Sequence, residues 1–471
     1  DILVGGAGRD TIDGGAQGDL IFGGDGNDSL RGGHGLDTIW GGDGADHIDG
    51  GTGLDVIFAG AGNDSVQGGT GSDLIWGQGG NDHLDGGDGA DLVVGGDGND
   101  RILGGNGVDL LYGSDGNDHI DGGAGSDFIW GGNGHDAIQG NTGWDFLSGG
   151  NGNDRLDGGT GSDWINGGAG NDNIQGGAGV DVLNGNAGND WIDGGDGADI
   201  IHGGDGHDRL RGGNGWDFIR GGNGNDKLSG GNGTDILFGD AGNDCLSGGN
   251  GIDFLYGGTG NDCLSGDAGA DFMWGGSGND VMLGGSGWDF MWGGSGNDLM
   301  DGGSGFDYLH GGSGNDKLWG GPGSGVLVGG SGNDKRYWFK SSGLSCDCYV
   351  PPVANVATVA TVSTLQPVVI EHCKDQPGDG AQPGDVVDFP FEPQLDPGVT
   401  DPGGATPDGT VSRGEDNPVL LPNYAQALGI RAADREEILD RAETLVARSS
   451  EIVANADSRA AAADRVFAAF A

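Results

Sequence analysis

An all-β solenoid of stacked parallel strands, with two nine-residue units per coil, is predicted by three observations. The first is a strict period: every ninth position from Asp1 to Asp334 is Asp except Gly325, with no insertion or deletion. The second is an apolar slot: two residues after each of these positions stands Leu, Ile, Val or Met, with Arg336 as the one exception. The third is a longer period of 18 residues, in which units of two kinds alternate. Periodicity this regular marks a chain built of units that stack because none can bury itself alone.

One unit, Gly23-Gly24-Asp25-Gly26-Asn27-Asp28-Ser29-Leu30-Arg31, reads G-G-x-G-x-D-x-apolar-x. Its glycines permit positive φ and a tight loop. Where the second Gly is replaced, the substitutes include Asn141, Asn186, Asp240 and Asp267, side chains that tolerate the left-handed region best. The x-apolar-x tripeptide predicts a very short strand with its central side chain inward and its flanks outward. So short a strand is unstable alone, and the expected packing is strand-loop-strand-loop, with the apolar slots of two facing sheets forming the core.

The alternation fixes two units per coil. In one kind of unit the residue before the Asp is usually Asn, as at Asn27, Asn63, Asn81 and Asn99, and the strand flanks are polar, as at Ser29 and Arg31. In the other the flanks are apolar: Leu20 and Phe22, Leu74 and Trp76, Phe128 and Trp130, Phe272 and Trp274. At a strand spacing of about 4.8 Å the repeats make roughly 18 coils and a rod about 90 Å long. The expected fold is thus a right-handed parallel β-roll over residues 1–334.

The chain has 471 residues, 116 of them Gly, and a formal net charge of −53. High charge with modest hydrophobicity ordinarily signals disorder, but disorder gives no reason to keep an apolar residue in every ninth position. Such acidity argues against nucleic acid and anionic membranes and in favour of cations. No apolar run approaches a transmembrane span, and no signal peptide is visible. The sequence starts without Met and within a unit, so it reads as a fragment or processed product with an upstream region expected.

Stacking brings each Asp to about 5 Å from the one 18 residues on, in two rows, one along each edge. A bare neighbouring pair repels by about 0.9 kcal/mol even in water. A hard divalent cation between successive loops removes that repulsion, taking a carboxylate from each loop and carbonyls that the glycines leave exposed. Six to eight oxygen ligands is calcium chemistry, and no repeated Cys or His suggests zinc. The candidate ligands in one row are Asp37, Asp55, Asp73, Asp91, Asp109, Asp127, Asp145, Asp163, Asp181, Asp199, Asp217, Asp235, Asp253, Asp271, Asp289 and Asp307. Those in the other are Asp10, Asp28, Asp46, Asp64, Asp82, Asp100, Asp118, Asp136, Asp154, Asp172, Asp190, Asp208, Asp226, Asp244, Asp262, Asp280, Asp298 and Asp316. Up to about 35 calcium sites result, fewer where the ends leave shells incomplete.

This nonapeptide resembles the repeat of the RTX, or haemolysin-type calcium-binding, family. The resemblance implies a parallel β-roll, calcium held between turns by Asp carboxylates and loop carbonyls, export by type I secretion, and folding outside the cell. Gln17, Ala59 and Gly325, the last following Pro322, depart from the pattern.

No catalytic motif is present: the chain lacks H-E-x-x-H, G-x-S-x-G and G-x-G-x-x-G, and its His residues lie mostly in variable outward positions. Identical Asp pairs in every coil fit calcium better than a glycosidase dyad. The apolar flanks form two columns on one sheet, through Leu92, Leu110, Phe128, Phe146 and Trp164, and through Trp40, Phe58, Trp76 and Trp130. The second turns polar at Ser148, Asn166, Asn184, His202 and Arg220, then returns to Phe238, Tyr256 and Trp274. This face, of about 900 Å², exceeds what monomers usually expose. It is expected to meet another copy or a neighbouring domain, to be covered by the chain's own C-terminal segment, or simply to stiffen the sheet through stacked rings.

Cys245 and Cys263 are 18 residues apart. They are expected in one slot of adjacent coils, within disulfide reach although with parallel Cβ vectors, or else as exposed thiols. Cys346, Cys348 and Cys373 lie outside the repeats, and one pair among them would suit an extracellular protein. Residues 335–373 are expected to cap the roll, with short strands within Val353–Ile370. Residues 374–418, rich in Pro, Gly and Asp, should be a flexible, partly disordered linker. Residues 419–471 are expected to form a helical tail, with Ile438, Ala442, Leu445, Ile452 and Ala456 on one face. The tail either docks on the roll or, by resemblance in position, carries an uncleaved type I secretion signal. The expected function is a secreted or cell-surface calcium-binding repeat protein with a structural or adhesive role and no enzyme activity. The alternative is an accessory module of a larger secreted enzyme or toxin, which a catalytic domain upstream of Asp1 would reveal.

Overall fold

The paired glycines of each unit do more than turn the chain. In the computed structural model, which describes residues 1–338, 343–346, 348 and 350, the strands run typically six or seven residues rather than three. Leu20–Asp25, Phe128–Asn133 and Arg155–Gly161 are examples. The reason is that backbone pairing continues through the glycines, Gly24 aligning with both Gly6 and Gly42.

Every strand pairs in parallel with the strand one coil away. Phe128, Ile129 and Trp130 align with Phe146, Leu147 and Ser148, while Arg155 and Leu156 align with Asn173 and Ile174. Two sheets result, one starting with Ile2–Ala7 and Leu20–Asp25, the other with Thr11–Ala16 and Ser29–His34. We call them the aromatic and the polar sheet. The parallel β-roll has about 19 coils.

Between the sheets lies one inward side chain per strand. Ile165, Ile174, Leu183 and Ile192 are fully buried, as are Met273, Met282, Met291 and Met300. At the N-terminal end Leu3 and Ile12 pack only partly against this core. At the other end Arg336 occupies the last slot and stays exposed.

The loops depend on left-handed backbone. Asn141, Asn186, Asp240 and Asp267, which replace the second Gly, have φ between 67° and 73°, and Gln78 and Ser114 at the same position follow at 76° and 88°. Gln17, which replaces the third Gly, sits at 75°.

The cysteines correct the sequence expectation. Cys245 pairs with Cys348, and Cys263 with Cys346, rather than Cys245 with Cys263, and neither Cys346 nor Cys348 pairs within the set of Cys346, Cys348 and Cys373. Cys346 and Cys348 are thereby tied to the polar sheet as a strap, and Val350 is buried. The strap's footprint is an apolar interruption of a polar column: Lys227 gives way to Cys245, Cys263, Val281 and Leu299 before Lys317. Cys346 and Val281 pack against the cluster of Cys245, Cys263 and Cys348.

The roll belongs to a unit spanning Asp1–Leu365, and a second unit spans Gln366–Ala471. The expected strands within 353–370, the linker, Cys373 and the helical tail lie outside the described residues. No helix among the described residues is long and apolar enough to cross a membrane.

Candidate metal centre

The two edges of the roll are lined by the Asp rows, and the structure brings every predicted ligand into them. Asp10 is half-buried; from Asp28 to Asp316 each is at most 3% exposed. The two carboxylate oxygens have different roles. Oδ1 accepts the backbone N–H of the Asp one coil earlier, as from Asp136 to Asp154 at 2.9 Å, Asp154 to Asp172 at 2.9 Å and Asp163 to Asp181 at 2.8 Å. Oδ2 is buried without a hydrogen-bond partner at every row position from Asp10 to Asp316. A buried anionic oxygen left unpaired is costly, and here it recurs in coil after coil.

The space beside this oxygen is kept open by the first Gly of the unit. A Cβ on Gly149 would lie 2.4 Å from Asp154 Oδ2 and 2.6 Å from the carbonyl oxygen of Gly167. On Gly158 the corresponding distances are 2.5 Å to Asp163 Oδ2 and 2.7 Å to the Gly176 carbonyl. Each cradle thus presents an orphan carboxylate oxygen and a carbonyl from the next coil. Ala59 alone replaces this Gly, and it is fully buried. Asp19, whose loop carries Gln17, keeps the geometry of the row, its N–H donating to Asp37 Oδ1 at 2.7 Å.

No group of three or more His, Cys, Asp or Glu side chains suited to a metal occurs among the described residues. A cation held here must complete its shell with carbonyl oxygens, which suits a hard ion of high coordination number and not a thiolate- or imidazole-seeking one. The donor set fits calcium.

Burial dominates the electrostatics. It pushes the Asp163 carboxyl up to about 7, opposed by the Asp145 N–H and reinforced by the charges of Asp181 and Asp157. Asp235, Asp244 and Asp271 rise to about 8 from the same burial, again against one N–H and with charged neighbours adding. Asp37 and Asp46 are raised as well. If the roll folds without calcium, the carboxyls raised in this way would hold protons that an unfolded chain, with carboxyls near 3.8, has released. Such groups stabilise the fold at low pH and withdraw that support as pH rises from about 4 to about 8. In excess chelator the β-sheet circular dichroism should therefore strengthen as pH falls from 8 to 5, the reverse of ordinary acid denaturation. Signal lost monotonically on acidification would contradict this.

The loop before the second Asp row carries a device the sequence only hints at. Its Asn residues form a ladder in which each backbone N–H donates to the Asn Oδ1 one coil earlier, as from Asn99 to Asn81 and from Asn189 to Asn171, both at 2.7 Å. His135 and His207 take rungs of it, their Nδ1 accepting from Asn153 and Asn225. Both imidazoles stay exposed, as their outward positions predict, and they also accept hydrogen bonds within the loop.

Parallel coils, acid-lined edges and glycine cradles define a calcium-binding repeat protein. The RTX calcium-binding nonapeptide repeat matches residues 1–244 and 247–335, well over half of the chain. The chain belongs to that family. No curated protein matches it.

Proposed function

We propose that this is a secreted, calcium-folded rod with a structural or adhesive role at or beyond the cell surface. It acts without catalytic chemistry and uses the aromatic sheet as its contact surface. The 34 row aspartates named above would serve as calcium ligands, each lending Oδ2 to an ion that also takes loop carbonyls. The tail would serve type I export. The observation that carries the reading is the unbroken series of buried, partnerless Oδ2 atoms beside open glycine cradles. Bound calcium neutralises the rows and makes folding conditional on an environment rich in the ion.

Equilibrium dialysis tests this reading. The folded chain should take up calcium in the tens per molecule, up to about 35. Uptake of only a handful would mean that the cradles are not used.

A further inference from the structure

The outward face of the aromatic sheet is two columns wide. The first is apolar almost without break from Leu20 to Val326, Thr38 being the exception. The second runs from Phe22 to Val328 and has one polar block, Ser148, Asn166, Asn184, His202 and Arg220, with a lone His310 nearer its end. In a chain of net charge −53, neither column holds a single Asp, Glu or Lys, and Arg220 is the only Arg. On both sides of the polar block the rings stack tightly: Phe22 on Trp40 at 4.7 Å and Tyr112 on Trp130 at 4.7 Å, then Tyr256 on Trp274 at 4.6 Å and Phe272 on Phe290 at 5.0 Å.

We propose that this face pairs with the same face of a second copy, with the two rods antiparallel and the two-fold axis passing through the coil of Val182 and Asn184. The inference deepens the contact-surface reading above and requires the calcium-folded roll. Its basis is that the polar block is centred on Asn184, with seven coils before it in the column and six after. Turning one copy about an axis in the face and perpendicular to the rod lays each column on itself in reverse. Trp76 then meets the level of Trp292, Tyr112 that of Tyr256, and Asn166 that of His202, so the polar block faces itself and these rings face rings, with His310 at the level of Phe58 as the one polar residue set against a ring.

Parallel pairing fails this test. It would lay one column on the other at the same level, setting Asn166, Asn184, His202 and Arg220 against Trp164, Val182, Ile200 and Phe218. Burying polar groups against apolar ones is costly. Area favours a stable pair: about 900 Å² from each copy makes about 1,800 Å², a standard specific interface. The columns themselves carry no carboxylate, and Asp240 beside them is paired with Arg220, which spares the face much of the like-charge repulsion that the rest of the surface would impose.

Sedimentation velocity on the full chain in calcium, with circular dichroism on the same sample, tests the pair. The expected mass is twice 47.0 kDa. Phe272→Asp with Phe290→Asp should halve it at unchanged β-sheet signal, since the inward Met273 and Met291 are untouched. For the register, Leu110→Cys and Phe254→Cys copies in a Cys373→Ser background should cross-link when mixed and not when alone. A folded wild-type monomer would overturn the proposal and indicate a face covered within the chain. A dimer that survives the double Asp variant, or that gives no mixed cross-link, would overturn it too. A chain that stays unfolded in calcium would instead bring down the functional reading beneath it.

Discussion

Chelation of calcium at neutral pH and low salt should unfold the roll, with loss of its β-sheet circular dichroism and recovery when calcium returns. The cause lies in how little else holds the coils. One buried aliphatic side chain per unit must order nine residues, and glycine, the residue with the most backbone entropy to lose, is the commonest of them. Against that thin core stand two rows of desolvated carboxylates. Each buried Oδ2 without a partner costs about 1–3 kcal/mol or more, and neighbours in a row raise one another's proton affinity, as Asp181 does for Asp163. Calcium removes both penalties at once. Magnesium at equal concentration should restore much less, because it demands a smaller octahedral shell and gives up its water reluctantly. A β-sheet spectrum indifferent to excess chelator would refute the account.

Gly152→Ala should break the roll in the middle without abolishing it. Gly152 has φ of 138°, and a Cβ there would lie 1.4 Å from the carbonyl oxygen of Gly134 in the preceding coil. The obstacle is backbone, so nothing flexible can yield, and the left-handed penalty adds to it. A cost of about 3 kcal/mol or more is expected. Solenoid stability is a sum of unit and neighbour terms. Hydrogen exchange should therefore accelerate in the coils around residues 134–170 and remain slow on either side. Gly79→Ala is the matched control: nothing lies within 4 Å of its Cβ position, and a change within about 0.5 kcal/mol is expected. Uniform loss of protection along the rod, or none at all, would contradict a one-dimensional stack.

Most of the roll was legible because its contacts are local and repeated. A register of 18 residues follows once Leu20 and Phe22 are seen to alternate with Ser29 and Arg31, and the strand pairing confirms it. Burial of the apolar slots and gathering of the Asp residues into edge rows follow with it. What the pattern could not supply was the inequality of the two carboxylate oxygens. That depends on the backbone N–H of one Asp pointing at the side chain of the next, as from Asp154 to Asp172. The strands outrun the expected tripeptide because glycine, although it forms loops, pairs its backbone as well as any other residue. The strap escaped because Cys346 and Cys348 find partners 83 and 103 residues away, where no period applies. Its trace in the sequence is the polar-sheet column that turns apolar from Cys245 to Leu299.

The strap also sets where a pull is felt. Tension applied to the chain beyond Val350 passes from Cys348 directly into Cys245 through the disulfide, and residues 246–347 are left off the load path. A solenoid pulled from its last strand peels open one coil at a time, breaking a few bonds per step. Here the load enters at the strand Cys245–Gly251, clamped between its parallel neighbours Lys227–Gly233 and Cys263–Gly269. Lys335–Tyr337 and the last coils ride as slack behind the anchor, and the rod meets force as a grip on its body rather than a tug on its end.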